Sequence, residues 1–255
     1  MKQSLTLAVA CVSLCGVLAA AQAAPDSAPE SENRPIDARV LRVTVDGAFD
    51  LRIRQGSVPA LTLSGDRRWL AHTTTVQSGD TLNIDTAVHG HAHMGALHAE
   101  LTLPALREVR SDSFGSTDIA GFSGDALDLA LDGAGSMRVA GNYRVVTASL
   151  GGIGSMHLQG LSAEGVALDL QGAGFVSLSG HARWLKADLG GLGSLDAQQF
   201  AADSVNLDLS GLGNASVSAR QNLELNLSGL GSVTVYGKPL NLKVEVDGLG
   251  KVSWK

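Results

Sequence analysis

The sequence predicts an all-β protein, a right-handed parallel β-helix (solenoid) with about 19–20 residues per coil. Three observations predict it. A Gly-x-Gly motif recurs at a nearly fixed interval, alternating aliphatic strands flank every copy, and the 255 residues hold 31 glycines but only 4% aromatics. Such a composition suits a fold with many turns and a narrow core filled by aliphatic side chains.

The second glycine of each motif falls at Gly135, Gly154, Gly174, Gly193, Gly213, Gly231 and Gly250, after a degenerate copy at Ser113-Phe114-Gly115. Successive intervals are 18 to 20 residues. Two residues before the first glycine stand Leu131, Leu150, Leu170, Leu189, Leu209, Leu227 and Val246. The positions four and six before it are also apolar, as in Leu207 and Val205, and polar residues alternate with them. That is the period of a strand with one buried face. A second strand follows each motif with the same habit: Met137, Met156, Val176, Leu195, Ala215, Val233 and Val252 are its first inward positions. A glycine often closes it, as at Gly141, Gly160, Gly180 and Gly237.

One repeat cannot bury its apolar face alone. Stacking repeats pairs each strand with its counterpart one coil away, roughly 4.8 Å along the axis. Parallel crossovers are right-handed, which sets the expected hand. Residues 36–255 are therefore expected to form a single β-helix domain. Within it, 36–110 read as irregular N-terminal coils and 111–255 as regular Gly-x-Gly coils.

Repetition at every coil marks Gly-x-Gly as a corner. Glycine is expected there to supply positive φ and close stacking, the middle residue to pack, and the following Ser or Asn to bond between coils. No copy carries the lysine and following Ser or Thr of a phosphate-binding loop. None carries the aspartate of a calcium-binding roll either.

The N-terminus reads as an address. Lys2, an apolar run from about Leu5 to Ala20, and Ala21-Gln22-Ala23 form a signal peptide over 1–23. Both cysteines, Cys11 and Cys15, lie within it, so cleavage leaves a cysteine-free chain with no stable membrane span. Residues 24–35 read as a polar linker. A net charge of −6 with no basic run excludes a nucleic-acid footprint. A periplasmic or secreted location is expected, and no cofactor is indicated.

"VDGAFDLRIRQG", "LTLPALREV" at 101–109, the repeated L-x-L-x-G-x-G-S and the ending "SVTVYGKPLNLKVEVDGLGKV" carry a resemblance over about residues 36–255. The chain resembles the head GIN family, named for head domains of auto-transporter adhesins and without an assigned biochemical activity. The resemblance implies a bacterial extracytoplasmic β-helix and brings no catalytic residues. The sequence ends at Lys255 with no translocator barrel or sorting signal after it, and a periplasmic protein is the expectation.

Three features remain as candidate sites. Asp169, Asp188, Asp208 and Glu245 share an outward column and form a candidate ligand-binding face. Carboxylates one coil apart also approach the roughly 5 Å separation of a retaining glycosidase, the basis of an alternative reading as a carbohydrate-active enzyme. His89, His91, His93 and His98 are candidates for a metal site if their segment is extended. Finally, an open β-helix invites self-association through its ends unless they are capped. Trp254 folding over the core, with Lys255 discouraging pairing, is the expected cap at one end and the irregular coils at the other. The leading expectation is an exported, non-enzymatic binding, adhesin-like or structural module whose partner is an envelope glycan or protein.

Overall fold

The structure, a computed structural model, describes residues 30–86 and 97–255. The expected signal peptide, residues 24–29 of the linker, and His89, His91 and His93 lie outside the described residues.

Each regular repeat is one long bent strand running from one Gly-x-Gly corner to the next. These are β9 (Ser116–Leu131), β10 (Ser136–Leu150), β11 (Ser155–Leu170), β12 (Phe175–Leu189), β13 (Ser194–Leu209) and β14 (Asn214–Leu227). Each pairs in parallel with the next, so Met137 lies beside Met156 and Leu150 beside Leu170. A register shift at each bend divides the strand in two. First halves form one sheet, second halves the facing sheet, and the inward columns meet between them. Leu131, Leu150, Leu170, Leu189, Leu209 and Leu227 are each at most 3% exposed. The result is a β-solenoid of about 7 turns, with 72% of the described residues in strands and 2% in helix.

The N-terminal coils are folded in a different spatial order from their sequence. β2 (Arg42–Gly47) lies between β8 (Glu108–Ser113) and β6 (Thr81–Thr86). β3 (Asp50–Gln55) lies between β9 and β7 (Leu97–Leu103). Beyond these, β4 (Ala60–Gly65) and β5 (Thr73–Ser78) run antiparallel to β7 and β6. Between them the helix α1 (Arg67–Ala71) crosses the end of the core, with Asp66 capping it through the Arg68 N–H. Leu70 is buried and Trp69 packs on the core, so this end is closed as expected. Residues 30–34, expected in the linker, instead form β1 (Glu30–Arg34), antiparallel to β4. Their polar side chains face outward, and the backbone alone is enough to pair with an available edge.

The opposite end is open. β15 (Ser232–Tyr236), β16 (Asn241–Val246) and β17 (Lys251–Trp254) make the last turn. Leu242, Val244 and Val246, in the inward columns, are 55%, 37% and 43% exposed because no other coil of the described residues stacks on them. Trp254 is 48% exposed and does not close the core, contrary to expectation.

The corner glycines also correct the sequence reading. Positive φ is found at the bend between the two halves of a strand, as at Gly160 and Gly180, but at none of the Gly-x-Gly glycines. Those are required by close approach instead. A Cβ on Gly213 would lie 2.0 Å from the carbonyl oxygen of Gly193 one coil back, and one on Gly172 2.0 Å from that of Gly152. Corner peptides are hydrogen-bonded coil to coil, Leu212 N–H to Gly191 O at 3.2 Å for example. Gly213→Ala should therefore push adjacent backbones apart and cost about 1–3 kcal/mol. Gly160→Ala has open space around it and bears only the positive-φ penalty of about 1 kcal/mol. Urea melts of the two variants check the order; equal destabilisation would show that contact at the corner is unimportant.

Candidate binding surface

The strand register forms the acidic column. Asp169, Asp188, Asp208, Asn226 and Glu245 stand side by side on successive coils, on the outer face of the sheet made by the second halves. Like charges this close repel, and each is tied to a neighbour. Gln171 Nε2 donates to Asp169 at 2.8 Å, and Asn226 Nδ2 donates to Asp208. Lys186 Nζ lies 3.4 Å from Asp188, and Lys243 Nζ lies 2.7 Å from Glu224 and 3.6 Å from Glu245. The column repeats one chemistry instead of setting an acid against a base in contrasting surroundings.

Two further columns lie beside it. Trp184, Ser204, Asn222 and Asn241 are in register, as are Lys186, Asn206, Glu224 and Lys243. Between them runs a trough of about 400 Å3 parallel to the solenoid axis. One wall is a chain of hydrogen bonds: Asn241 Nδ2 donates to Asn222 Oδ1, and Asn222 Nδ2 to Ser204 Oγ, both at 2.8 Å. The Trp184 indole closes one end, lying over Gly165, where a Cβ would come within 1.8 Å of the ring. The side-chain oxygens of Asn206 and Asn226 have no hydrogen-bond partner among the described residues. Trp184 escaped the sequence reading, though its column sits seven residues before each corner's first glycine and was legible there.

A second surface was missed outright. The middle residue of the corner was expected to pack, yet it points to solvent. Phe114, Ile153, Leu192, Leu212, Leu230 and Leu249 are 56–87% exposed and form an apolar ridge along one edge of the solenoid. Close stacking of the flanking glycines leaves no inward room, so the side chain has only the outside to occupy.

Of the four histidines, His98 alone is described. Its Nδ1 lies 3.5 Å from Asp50 Oδ2, while Ser116 N–H and Oγ donate to Asp50 Oδ1 at 2.9 and 2.6 Å. The carboxylate stands between hydroxyl and imidazole, so the serine proton faces an acceptor that cannot serve as a histidine base. Among the described residues no three His, Cys, Asp or Glu side chains converge to hold a metal. Burial pushes the Asp50 carboxyl upward, but the two Ser116 hydrogen bonds and His98 outweigh it and hold it below 3.8. A lowered folded pKa adds stability above the unfolded value that is lost as pH falls through the folded one. Asp50→Asn should thus flatten the loss of stability below about pH 4. Thermal melts of parent and variant at several acidic pH values check it; parallel curves would mean the cluster does not couple to folding.

Fold and surfaces together define a β-solenoid module that presents repeated polar and apolar surfaces over its length. Residues 41–239 match the family described as "putative auto-transporter adhesin, head GIN domain", and the chain belongs to it. No curated protein matches the chain. Among solved structures, a "putative adhesin" from Parabacteroides distasonis superposes with a TM-score of 0.81 at 17% identity, over 90% of this chain and 98% of that one. A "putative lipid binding protein" from the same organism gives 0.79 at 18% identity, over 89% and 96%. A "putative adhesin" from Bacteroides fragilis gives 0.69 at 17% identity, over 89% and 97%. At these identities the likeness is one of fold. No helix among the described residues is long and apolar enough to cross a membrane.

Proposed function

We propose that this protein is an exported, non-enzymatic binding module of the bacterial envelope that holds a glycan chain along the trough beside Trp184. The trough is the observation that carries the reading. It is linear, it repeats hydrogen-bonding groups at the coil spacing of roughly 4.8 Å, and it ends in an aromatic ring. Sugars are recognised by such a combination: amides and carboxylates for the hydroxyls, an indole face for the apolar side of a ring. Repetition gives several weak contacts acting together along one rigid surface. Export follows from the signal-peptide pattern of residues 1–23. A binding role fits the family description, and the acidic column, tied up in structural hydrogen bonds and ion pairs, supports holding over cleaving.

The apolar ridge favours a second reading, in which a protein partner seats Leu192, Leu212 and Leu230 in an apolar groove. Six large side chains exposed in one line exceed what scattered surface residues supply.

The two readings separate in a binding screen of the chain from residue 24 against envelope glycans and peptidoglycan fragments. Trp184→Ala and the triple variant Asp169→Asn, Asp188→Asn, Asp208→Asn are compared with the parent, and each ligand is checked for cleavage by mass spectrometry. Trp184→Ala should weaken glycan binding at least about tenfold. The triple variant should weaken it less if the neighbouring column only rims the trough. Binding that survives Trp184→Ala unchanged would sink the trough reading, and cleaved product would replace it with an enzyme. A partner lost only on Leu192→Ser, Leu212→Ser, Leu230→Ser would assign the ridge.

A further inference from the structure

We propose that two copies of this chain associate tail to tail, with β16 of one pairing antiparallel to β16 of the other about a two-fold axis at Val244. This rests on the open end of the solenoid and not on the glycan reading.

The two ends of the core differ. At the N-terminal end α1 lies across it, with Leu70 buried and Trp69 packed against the core. At the C-terminal end four inward-column side chains, Leu242, Val244, Val246 and Trp254, are exposed. Among the described residues β16 pairs with β14 alone and β17 with β15 alone, so one edge of each has no backbone partner there. Such edges template the addition of another strand. β1 and β5 also pair on one side only among the described residues, but there α1 lies over the core, whereas at the C-terminal end the apolar columns themselves are exposed, so like ends meet. The interface is then isologous and the assembly stops at two copies instead of growing into a filament.

The sequence of β16, Asn-Leu-Lys-Val-Glu-Val, is complementary to itself. Centred on Val244, antiparallel pairing sets Lys243 opposite the partner's Glu245 and Leu242 opposite the partner's Val246. Apolar positions then meet apolar ones above the core, and opposite charges meet on the outer face. Centring on Lys243 or Glu245 places like charges opposite each other. A centre between two residues sets inward positions against outward ones. Counting back across the Asp247–Gly250 corner puts Ser253 of β17 about level with Val244 on the facing sheet. The same axis then brings Val252 against the partner's Trp254, which covers the indole that the single chain leaves exposed.

The chain from residue 24 keeps every described element and has no cysteine, so a single introduced thiol is unambiguous. Light scattering after gel filtration should give twice the chain mass at micromolar concentration. Val244→Lys sets two ammonium groups together on the axis and should give a monomer. Lys243→Glu and Glu245→Lys should each weaken association at least about tenfold, and the double variant should regain much of the loss. Oxidised Val244→Cys should form a covalent dimer, because paired Cα atoms on an antiparallel ladder lie about 4.5–5.5 Å apart, within disulfide reach. Leu212→Cys on the ridge should not. Thermal melts establish that each variant is folded. A parent that stays monomeric overturns the proposal, as does a dimer indifferent to Val244→Lys or an open-ended polymer. A monomeric Val244→Cys variant whose thiol resists maleimide would overturn it too, by showing that the chain's own residues cover the end.

Discussion

Contact of backbone with backbone at the Gly-x-Gly corner is the constraint on which the rest of the molecule depends. The corner peptides of adjacent coils touch so closely that a Cβ would strike the carbonyl oxygen one coil away, at 2.0 Å between Gly213 and Gly193. This keeps the two facing sheets in step, coil after coil, and fixes the axial spacing for every column. It also dictates what lies on either side. Inward, the space between the sheets admits alternating leucine, valine and alanine. Outward, the residue between the two glycines is forced into solvent, whatever its hydrophobicity.

Surface chemistry follows from that register. A residue type repeated at one position of the sequence becomes a file on the surface. The acidic column, the amide chain from Ser204 to Asn241 and the ridge from Phe114 to Leu249 share this origin. A file has consequences that no single residue has. Carboxylates in a file repel, and they are stabilised here by Gln171, Asn226, Lys186 and Lys243. Amides in a file bond to one another and stiffen one wall of a trough. Two of the proposed surfaces depart from the repeat: Trp184, where the neighbouring coils carry Gly165 and Ser204, and the last described coil, whose apolar columns are exposed.

The ends show how a repeat fold handles its boundaries. At one of them the chain reverses through β4, α1 and β5, and a five-residue helix covers the core. Antiparallel strands there replace the parallel order, and β1 adds to the edge from a segment whose composition is that of a linker. At the other, the last described coil has leucine and valine positions identical in pattern to the buried ones but half exposed.

By itself the sequence determined the repeat, its strand alternation, the inward columns and the register of Asp169, Asp188 and Asp208, because all of these are periodic and period survives in one dimension. It determined too that the chain resembles the head GIN family. Only the tertiary structure decided which glycines are needed for conformation and which for contact, since the atom that excludes a side chain belongs to a coil about 20 residues away. It alone turned the corner residues outward, placed Trp184 over Gly165, set Asp50 between Ser116 and His98, and exposed the apolar columns of the last described coil. Each of these depends on what lies beside a residue one coil off, and a strand's own sequence carries no record of its neighbour.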